Sequence, residues 1–168
     1  EITIRPMTVA DTAAVGEAHV RAWQAAYRGV MPDEYLDGLA AADRADMWRR
    51  AIEEDWPGQR DVIVADGAIA GFAVYGAERD GDVDGPRGEL QAINLHPDHW
   101  RRGLGRRMIR HVTSELAGLG FTTAVLWVEA NNDRARRFYE AEGWSFDGTE
   151  RTDTVQGAVV DEVRYARG

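Results

Sequence analysis

The chain has 168 residues, no cysteine and a formal net charge of −9, a length that suits one domain over 1–168 with its own core. The missing cysteines exclude disulfides, thiolate metal sites and cysteine nucleophiles. The acidic balance argues against general nucleic-acid binding, because no basic surplus exists to displace phosphate counterions, and no apolar run is long enough to span a bilayer.

Ile2 and Ile4 alternate with polar residues up to Pro6 and predict a first strand. This opening lacks the layout of a signal peptide, and no initiator Met precedes it, so the numbering is expected to begin after trimming and the protein to be cytoplasmic. Thr8 with Asp11 three residues on has the spacing of a capping box, so a helix is expected to about Arg28, with Val15, Ala18, Ala22, Trp23 and Ala26 on its apolar face and Gly29 ending it. A turn into a short helix follows near Asp33–Leu36. An amphipathic helix over about Ala42–Glu54 is closed by Trp56-Pro57-Gly58. Trp23, Tyr27, Tyr35, Trp48 and Trp56 make this third aromatic, which suits core packing or the wall of a substrate pocket.

From Asp61 the period becomes two. Two strands, Asp61–Ala65 and Ile69–Tyr75, flank the hairpin signal Asp66-Gly67. Asp80, Asp82 and Asp84 alternate like the opening of a calcium loop, but position 91 is Gln91 where the closing Glu belongs, so a solvated loop is expected and no metal. A strand over Gly88–Leu95 leads through His96-Pro97 into Trp100-Arg-Arg-Gly-Leu-Gly105. A helix over 104–118 then carries Leu104, Met108, Val112 and Leu116 on one face. Thr122–Val128 reads as a strand. A helix opens at Asn131-Asn132-Asp133 with Ala135, Phe138 and Tyr139 inward and ends at Gly143. Trp144–Phe146 and Gly157–Tyr165 read as two final antiparallel strands. The fold class is α/β: a mixed, mostly antiparallel sheet with one parallel crossover, Leu90–Leu95 to Ala124–Val128, flanked by about four helices.

The glycine turn carries the strongest chemical signal. A strand feeding a Gly- and Arg-rich turn at a helix N-terminus suits a phosphate or pyrophosphate, since free amides and the helix dipole both favour an anion. Arg101, Arg102, Arg106, Arg107 and Arg110 cluster here in an otherwise acidic chain without lysine, where the alternative is a solvated helix face. The turn is not a Walker loop, because Gly-Lys-Ser/Thr is absent. Nor is it the dinucleotide fingerprint, whose third glycine would fall on Met108.

Taken together, Leu90–Leu95, His96-Pro97-Asp98, Arg101–Arg106, Asn132, Ala135, Phe138-Tyr139 and Gly143-Trp144 resemble the GCN5-related N-acetyltransferase family. The motifs cover about 89–144, and the element order fits over nearly the whole chain. The first third looks like a bacterial subgroup whose substrates are mostly unassigned. The resemblance implies an N-acetyltransferase that moves an acetyl group from acetyl-coenzyme A to a primary amine by direct attack in a ternary complex. It places the pyrophosphate on the amides of Arg101, Arg102, Gly103, Leu104, Gly105 and Arg106. The departure is Trp100, where Gln or Arg is usual. Ile93, Asn94 and Leu95 would pair with the pantetheine arm, with a strand bulge turning an N–H towards the thioester oxygen. Asn132 would contact the cofactor arm, although a helix N-cap explains it equally well.

Tyr139 matches the tyrosine that protonates the leaving thiolate, the alternative being a core aromatic. Glu89 matches a glutamate used as base, the alternative being a strand-end carboxylate; Glu34, Glu78 and Glu129 are further candidates. The base of the ribosomal-protein branch falls on Trp127 and is absent. His96, His99 and His111 read as turn or surface residues. The resemblance also implies a possible homodimer; the charge and the lack of a long apolar run predict no nucleic-acid or membrane partner. Two other readings stay open: a non-catalytic domain that binds or senses coenzyme A, and a nucleotide-binding module.

Overall fold

A computed structural model describes residues 1–82, 85–155 and 158–168, with side chains at all of these but 155 and 158. The seven strands are β1 (Ile2–Pro6), β2 (Gln59–Ala65), β3 (Ala68–Ala77), β4 (Gly88–Leu95), β5 (Ala124–Glu129), β6 (Ser145–Val155) and β7 (Ala158–Arg167). They form one sheet in the order β1-β2-β3-β4-β5-β7-β6. All pairs are antiparallel except β4 with β5. The helices are α1 (Thr12–Tyr27), α2 (Asp33–Asp37), α3 (Ala41–Glu53), α4 (Leu104–Gly118) and α5 (Asp133–Ala141). Five helices stand where about four were expected, the fifth being the one-turn α2. The sixth strand is longer than Trp144–Phe146 predicted. Trp144 itself leaves the sheet and is buried in the core at 2% exposure.

Strand alternation divides the core between the two faces of the sheet. Ile63, Ala73 and Tyr75 face α4, packing with Met108, Val112 and Leu116, whereas Val62, Phe72 and Val74 face the other side and pack with Val15 of α1 and Trp48 of α3. The first helix is set by the expected capping box: Thr8 and Asp11 satisfy one another across a short 3-10 turn that precedes α1. Asp66 and Gly67 take positive φ of 53° and 83°, the left-handed pair that a two-residue hairpin requires.

The decisive departure from regularity lies at β4. Its parallel ladder with β5 covers only Gly88–Leu90, opposite Ala124–Leu126, although both strands run on. On its other side β4 carries a bulge: Tyr75 opposes Leu90 and Val74 opposes Ala92, so Gln91 is the extra residue. A bulge bends its strand, and this one follows the last residue that β4 shares with β5. The two strands part there, and the backbone of 91–95 is left without a ladder partner on the β5 side.

The acidic loop expected near Asp80 is tied down by arginines. Arg164 bridges Asp80 at 3.1 Å, Asp82 at 2.8 Å and Asp147 at 2.6 Å, and Arg87 also pairs with Asp82. Glu78, Asp80 and Asp82 lie close enough to share an ion, but guanidinium groups neutralise them already. The third aspartate of the alternation, Asp84, and the expected start of the last strand, Gly157, lie outside the described residues. Among the described residues no helix is long and apolar enough to cross a membrane.

The entry to α1 should be acid-sensitive. Arg5 holds Asp11 through two hydrogen bonds of 2.7 and 2.9 Å, and with the Thr8 donors it draws that carboxyl down to about 2. A depressed carboxyl stabilises the fold above its unfolded value of about 4, and the contribution is lost as pH falls through the folded value. In urea unfolding the stability of Asp11→Asn should accordingly be lower than wild type at pH 6, with the gap closing between pH 4 and pH 2.

Candidate active site

Where β4 and β5 part, a cavity of about 800 Å³ opens. Its lining comes from both faces of the sheet: His19, Trp23 and Tyr27 of α1 and Trp48 of α3 on one side, and Leu104, Gly105, Ala135, Phe138 and Tyr139 of α4 and α5 on the other. The split strands supply Leu90–Leu95 and Leu126–Glu129. The cavity thus runs through the sheet. Of the aromatic residues noted in the first third, Trp23, Tyr27 and Trp48 form its wall. Trp56 is a partly exposed surface residue, and Tyr35 lines a smaller neighbouring hollow instead.

At one end of the cavity sits the glycine turn. Arg101 and Gly103 both have positive φ, 63° and 76°, and Gly103 is the N-cap of α4. For Arg101 this is a strained backbone, of the kind that clusters at ligand sites. Alternation of left-handed residues turns successive amides inward to form an anion nest. The first intrahelical acceptor of α4 serves Arg107, whose N–H reaches Gly103 O at 3.2 Å, so the amides of 104–106 are free by helix geometry. A Cβ on Gly105 would sit 3.3 Å from Leu95 Cδ1 and 3.4 Å from Phe138 Cζ, a tight fit in which those side chains would have to give by a few tenths of an ångström, so glycine lets the helix start seat closely between β4 and α5.

Trp100, which departs from the family pattern, has two ties. Its indole N–H donates to Leu95 O at 2.8 Å, closing off the end of β4. The guanidinium of Arg134, on the first turn of α5, stacks 3.7 Å above its ring. Burial and the nearby Arg101 weaken the hold of Arg134 on its proton, as expected for a desolvated cation beside another. Arg134 lines the cavity with Arg101 and Arg106. Sequence reasoning passed over Arg134; its signal was a basic residue two positions after Asn132 in the first turn of α5, the turn that faces the loop.

The sequence candidates divide clearly. Ile93, Asn94, Leu95, Arg101, Gly103, Leu104, Gly105, Arg106, Asn132 and Tyr139 all line this one cavity. Arg102 does not; its guanidinium turns to Asp66 at 3.1 Å. Asn132 is the N-cap of α5, accepting from Ala135 N at 3.2 Å, and it also interacts with the Tyr27 phenol. The Tyr139 ring joins the core beside Leu126, Val128 and Val163. Its hydroxyl has no hydrogen-bond partner among the described residues, and burial pushes the phenol well above its usual range. A phenol carries its proton at neutral pH in any case, and burial holds that proton more firmly.

Glu89 differs from the expectation. It is 1% exposed and does not line the cavity. Arg79 grips it through three hydrogen bonds, from its backbone N–H at 3.1 Å, Nε at 3.0 Å and Nη2 at 2.8 Å. Both its carboxylate oxygens are thus occupied, and neither faces the cavity. Of the other carboxylates considered, Glu78 pairs with Arg87 at 3.5 Å, Glu34 is an exposed residue of α2, and Glu129 alone reaches the cavity. Of the histidines, His111 Nε2 lies 2.8 Å from Asp61 Oδ2, which also accepts from the Tyr75 hydroxyl. His96 accepts from Asp98 N within its own turn.

A sheet split beside its one parallel pair, with an amide nest at one end of the gap and a buried phenol along it, defines an α/β domain built to hold an extended, phosphorylated thioester. The chain belongs to the acetyltransferase (GNAT) family, whose model matches residues 20–144. It is 29% identical over 141 residues to the uncharacterized N-acetyltransferase YuaI of Bacillus subtilis, covering 83% of this chain and 78% of that one. Among solved structures, the PaiA N-acetyltransferase of Thermoplasma acidophilum in complex with coenzyme A superposes with a TM-score of 0.72 at 16% identity, over 99% of this chain and 98% of that one. YncA of Salmonella typhimurium, solved with acetyl-coenzyme A, gives 0.70 at 23%, over 99% and 92%.

The Arg79–Glu89 contact should prove to be a stability element. Arg79→Ala leaves a buried carboxylate without its cation and should cost about 1–3 kcal/mol in denaturant unfolding.

Proposed function

We propose that this chain transfers an acetyl group from acetyl-coenzyme A to a primary amine, with the donor held in the split between β4 and β5. The single observation that carries the reading is the continuity of the cavity from the glycine turn and the free amides of 104–106, past the backbone of β4 that β5 leaves unpaired, to Tyr139. The residues fit such a donor by their chemistry. Amides and the dipole of α4 suit a pyrophosphate. An open strand edge suits an amide-bearing arm by strand addition. Acetyl-coenzyme A supplies the activated acyl group.

The chain's residues divide the remaining work. Arg101 and Gly103 turn their amides towards the phosphates, and Arg134, steadied on Trp100, supplies a side-chain cation where the family's Gln or Arg is missing. Ile93, Asn94 and Leu95 orient the arm. The bulge at Gln91 lies before these residues, and the amides next to it are the ones placed to donate to charge developing on the thioester oxygen. Leu104 and Gly105 close the floor, and Arg106 adds charge at the rim. Asn132 fixes the start of α5 and so the direction of Tyr139. Tyr139 donates its proton to the departing sulfur. Glu89, with Arg79, fixes the start of β4 and acts as a positioning residue in this reading. We further infer a single catalytic domain over 1–168, working in a bacterial cytoplasm as a possible homodimer; the Bacillus relative supports the bacterial setting.

Two measurements test this. Tyr139→Phe should lower kcat for thiol release by 10²-fold or more, the scale of a lost general acid, with acetyl-coenzyme A affinity within twofold of wild type by calorimetry; an unchanged kcat removes Tyr139 as the acid. Arg134→Ala should weaken acetyl-coenzyme A binding about tenfold, the loss of one charge-assisted hydrogen bond, while Arg102→Ala, already committed to Asp66, should stay within twofold.

A further inference from the structure

On the α1 side of the cavity the charge does not balance. Glu129 closes β5 and Glu162 stands directly opposite it on β7. Both line the cavity. Directly opposed residues of an antiparallel pair share a face at about 5 Å, and like charges there are destabilising. Glu162 has a counter-ion, Arg151, at 2.9 Å, and that guanidinium is itself held 3.9 Å over the Trp127 ring. Glu129 has none. It is 6% exposed, and its firm contacts are neutral donors: Asn131 N at 2.8 Å, with Asn131 Nδ2 at 3.4 Å. Among the described residues no arginine or histidine forms an ion pair with it. A buried carboxylate without a cation is costly: it either holds a proton or meets a cation that a ligand brings.

The surroundings favour the cation. Trp23 and Tyr27 of α1 lie 4.8 Å apart, and both face the same cavity. Aromatic faces beside a carboxylate are the environment of an ammonium group. Tyr27 is pushed up to about 12 by burial and by these two glutamates, so it stays a neutral phenol. Burial likewise raises the Glu129 carboxyl, with Asp161 adding to the effect. An unpaired carboxylate, a second carboxylate opposite and two aromatic walls accept a cation and repel a carboxylate.

We infer that Glu129, with Glu162 opposite, is the seat of the acceptor's ammonium group, and that the acceptor is an aliphatic primary amine with no carboxylate near its nitrogen. This rests on the acetyl-transfer reading and narrows it. The balance is as follows. Glu129 takes one proton from the bound ammonium. The freed nitrogen pair forms the N–C bond to the thioester carbon as the C–S bond breaks. Tyr139 gives its proton to the sulfur and recovers one from the nitrogen, and Glu129 releases its own to water. One ammonium and one thioester become one acetamide, one thiol and one proton.

The test compares matched acceptors, pentylamine and 2-aminohexanoate, which differ only by a carboxylate beside the nitrogen, by thiol release from the full chain, and repeats the comparison in Glu129→Gln. Wild type should prefer pentylamine at least tenfold in kcat/KM. Glu129→Gln should lower that value at least tenfold and narrow the preference to below threefold, with acetyl-coenzyme A affinity within twofold. Equal use of the two acceptors by wild type, or an unaltered Glu129→Gln, overturns the inference and leaves the transfer reading standing. Loss of acetyl-coenzyme A affinity in the variant overturns it in favour of a structural role. Absence of transfer to either amine counts against the parent reading instead; calorimetric binding of pentylammonium to the coenzyme A-loaded protein then decides the pocket, supporting it if lost in Glu129→Gln and overturning it if wild type does not bind.

Discussion

The functional architecture depends on the early end of one parallel ladder. β4 and β5 pair for three residues and then separate. The bulge at Gln91 supplies the bend, and the half-buried backbone beyond it lines the cavity with hydrogen-bonding groups that β5 does not use. A closed sheet at this point would leave two separate faces, with α1 and its aromatic residues on one side and α4 and α5 on the other. The split joins them. Tyr139 is rooted in the core on the α4 side and Glu129 in the layer under α1, and both still reach one cavity.

Electrostatics divide that cavity lengthwise. Its loop end carries Arg101, Arg106 and Arg134, and its α1 end carries Glu129 and Glu162. This division is what the proposed anionic donor and cationic acceptor would each meet. The net charge of −9 says little about this, since most of the acidic groups elsewhere are spent on local arginine pairs such as those of Arg164. What counts is Glu129, the carboxylate lining the cavity that has no such pair among the described residues. The same accounting explains Glu89. A glutamate four residues before Ile93 looks like a base in the sequence, but Arg79 uses both its oxygens. Its partner comes from the preceding hairpin, beyond the reach of local reading.

Trp100 illustrates compensation at a distance. In the sequence it is a lost side-chain contact. In the fold its indole N–H finishes β4 and its ring carries Arg134 from a different helix. In the proposed function the main chain of the turn holds the anion, and a side-chain cation can come from either element that reaches the same space.

The sequence by itself determined the elements and the phosphate turn, because both rest on local rules. Period-two and period-3.6 patterns placed β1–β4, α1, α3 and α4 to within a few residues, and Gly103 and Gly105 are legible because backbone conformation and close approach demand glycine at fixed spacing. The resemblance of Asn132–Tyr139 to a known family added roles that spacing alone leaves open between cap, core and catalyst. The tertiary structure decided which charges are spent and which are free. Glu89 and Arg102 are paired away, whereas Glu129 and Arg134 are left facing the cavity, and these outcomes turn on partners many residues distant in the chain. The length of the β4–β5 ladder was decided there too, since a bulge is defined by the strand it faces.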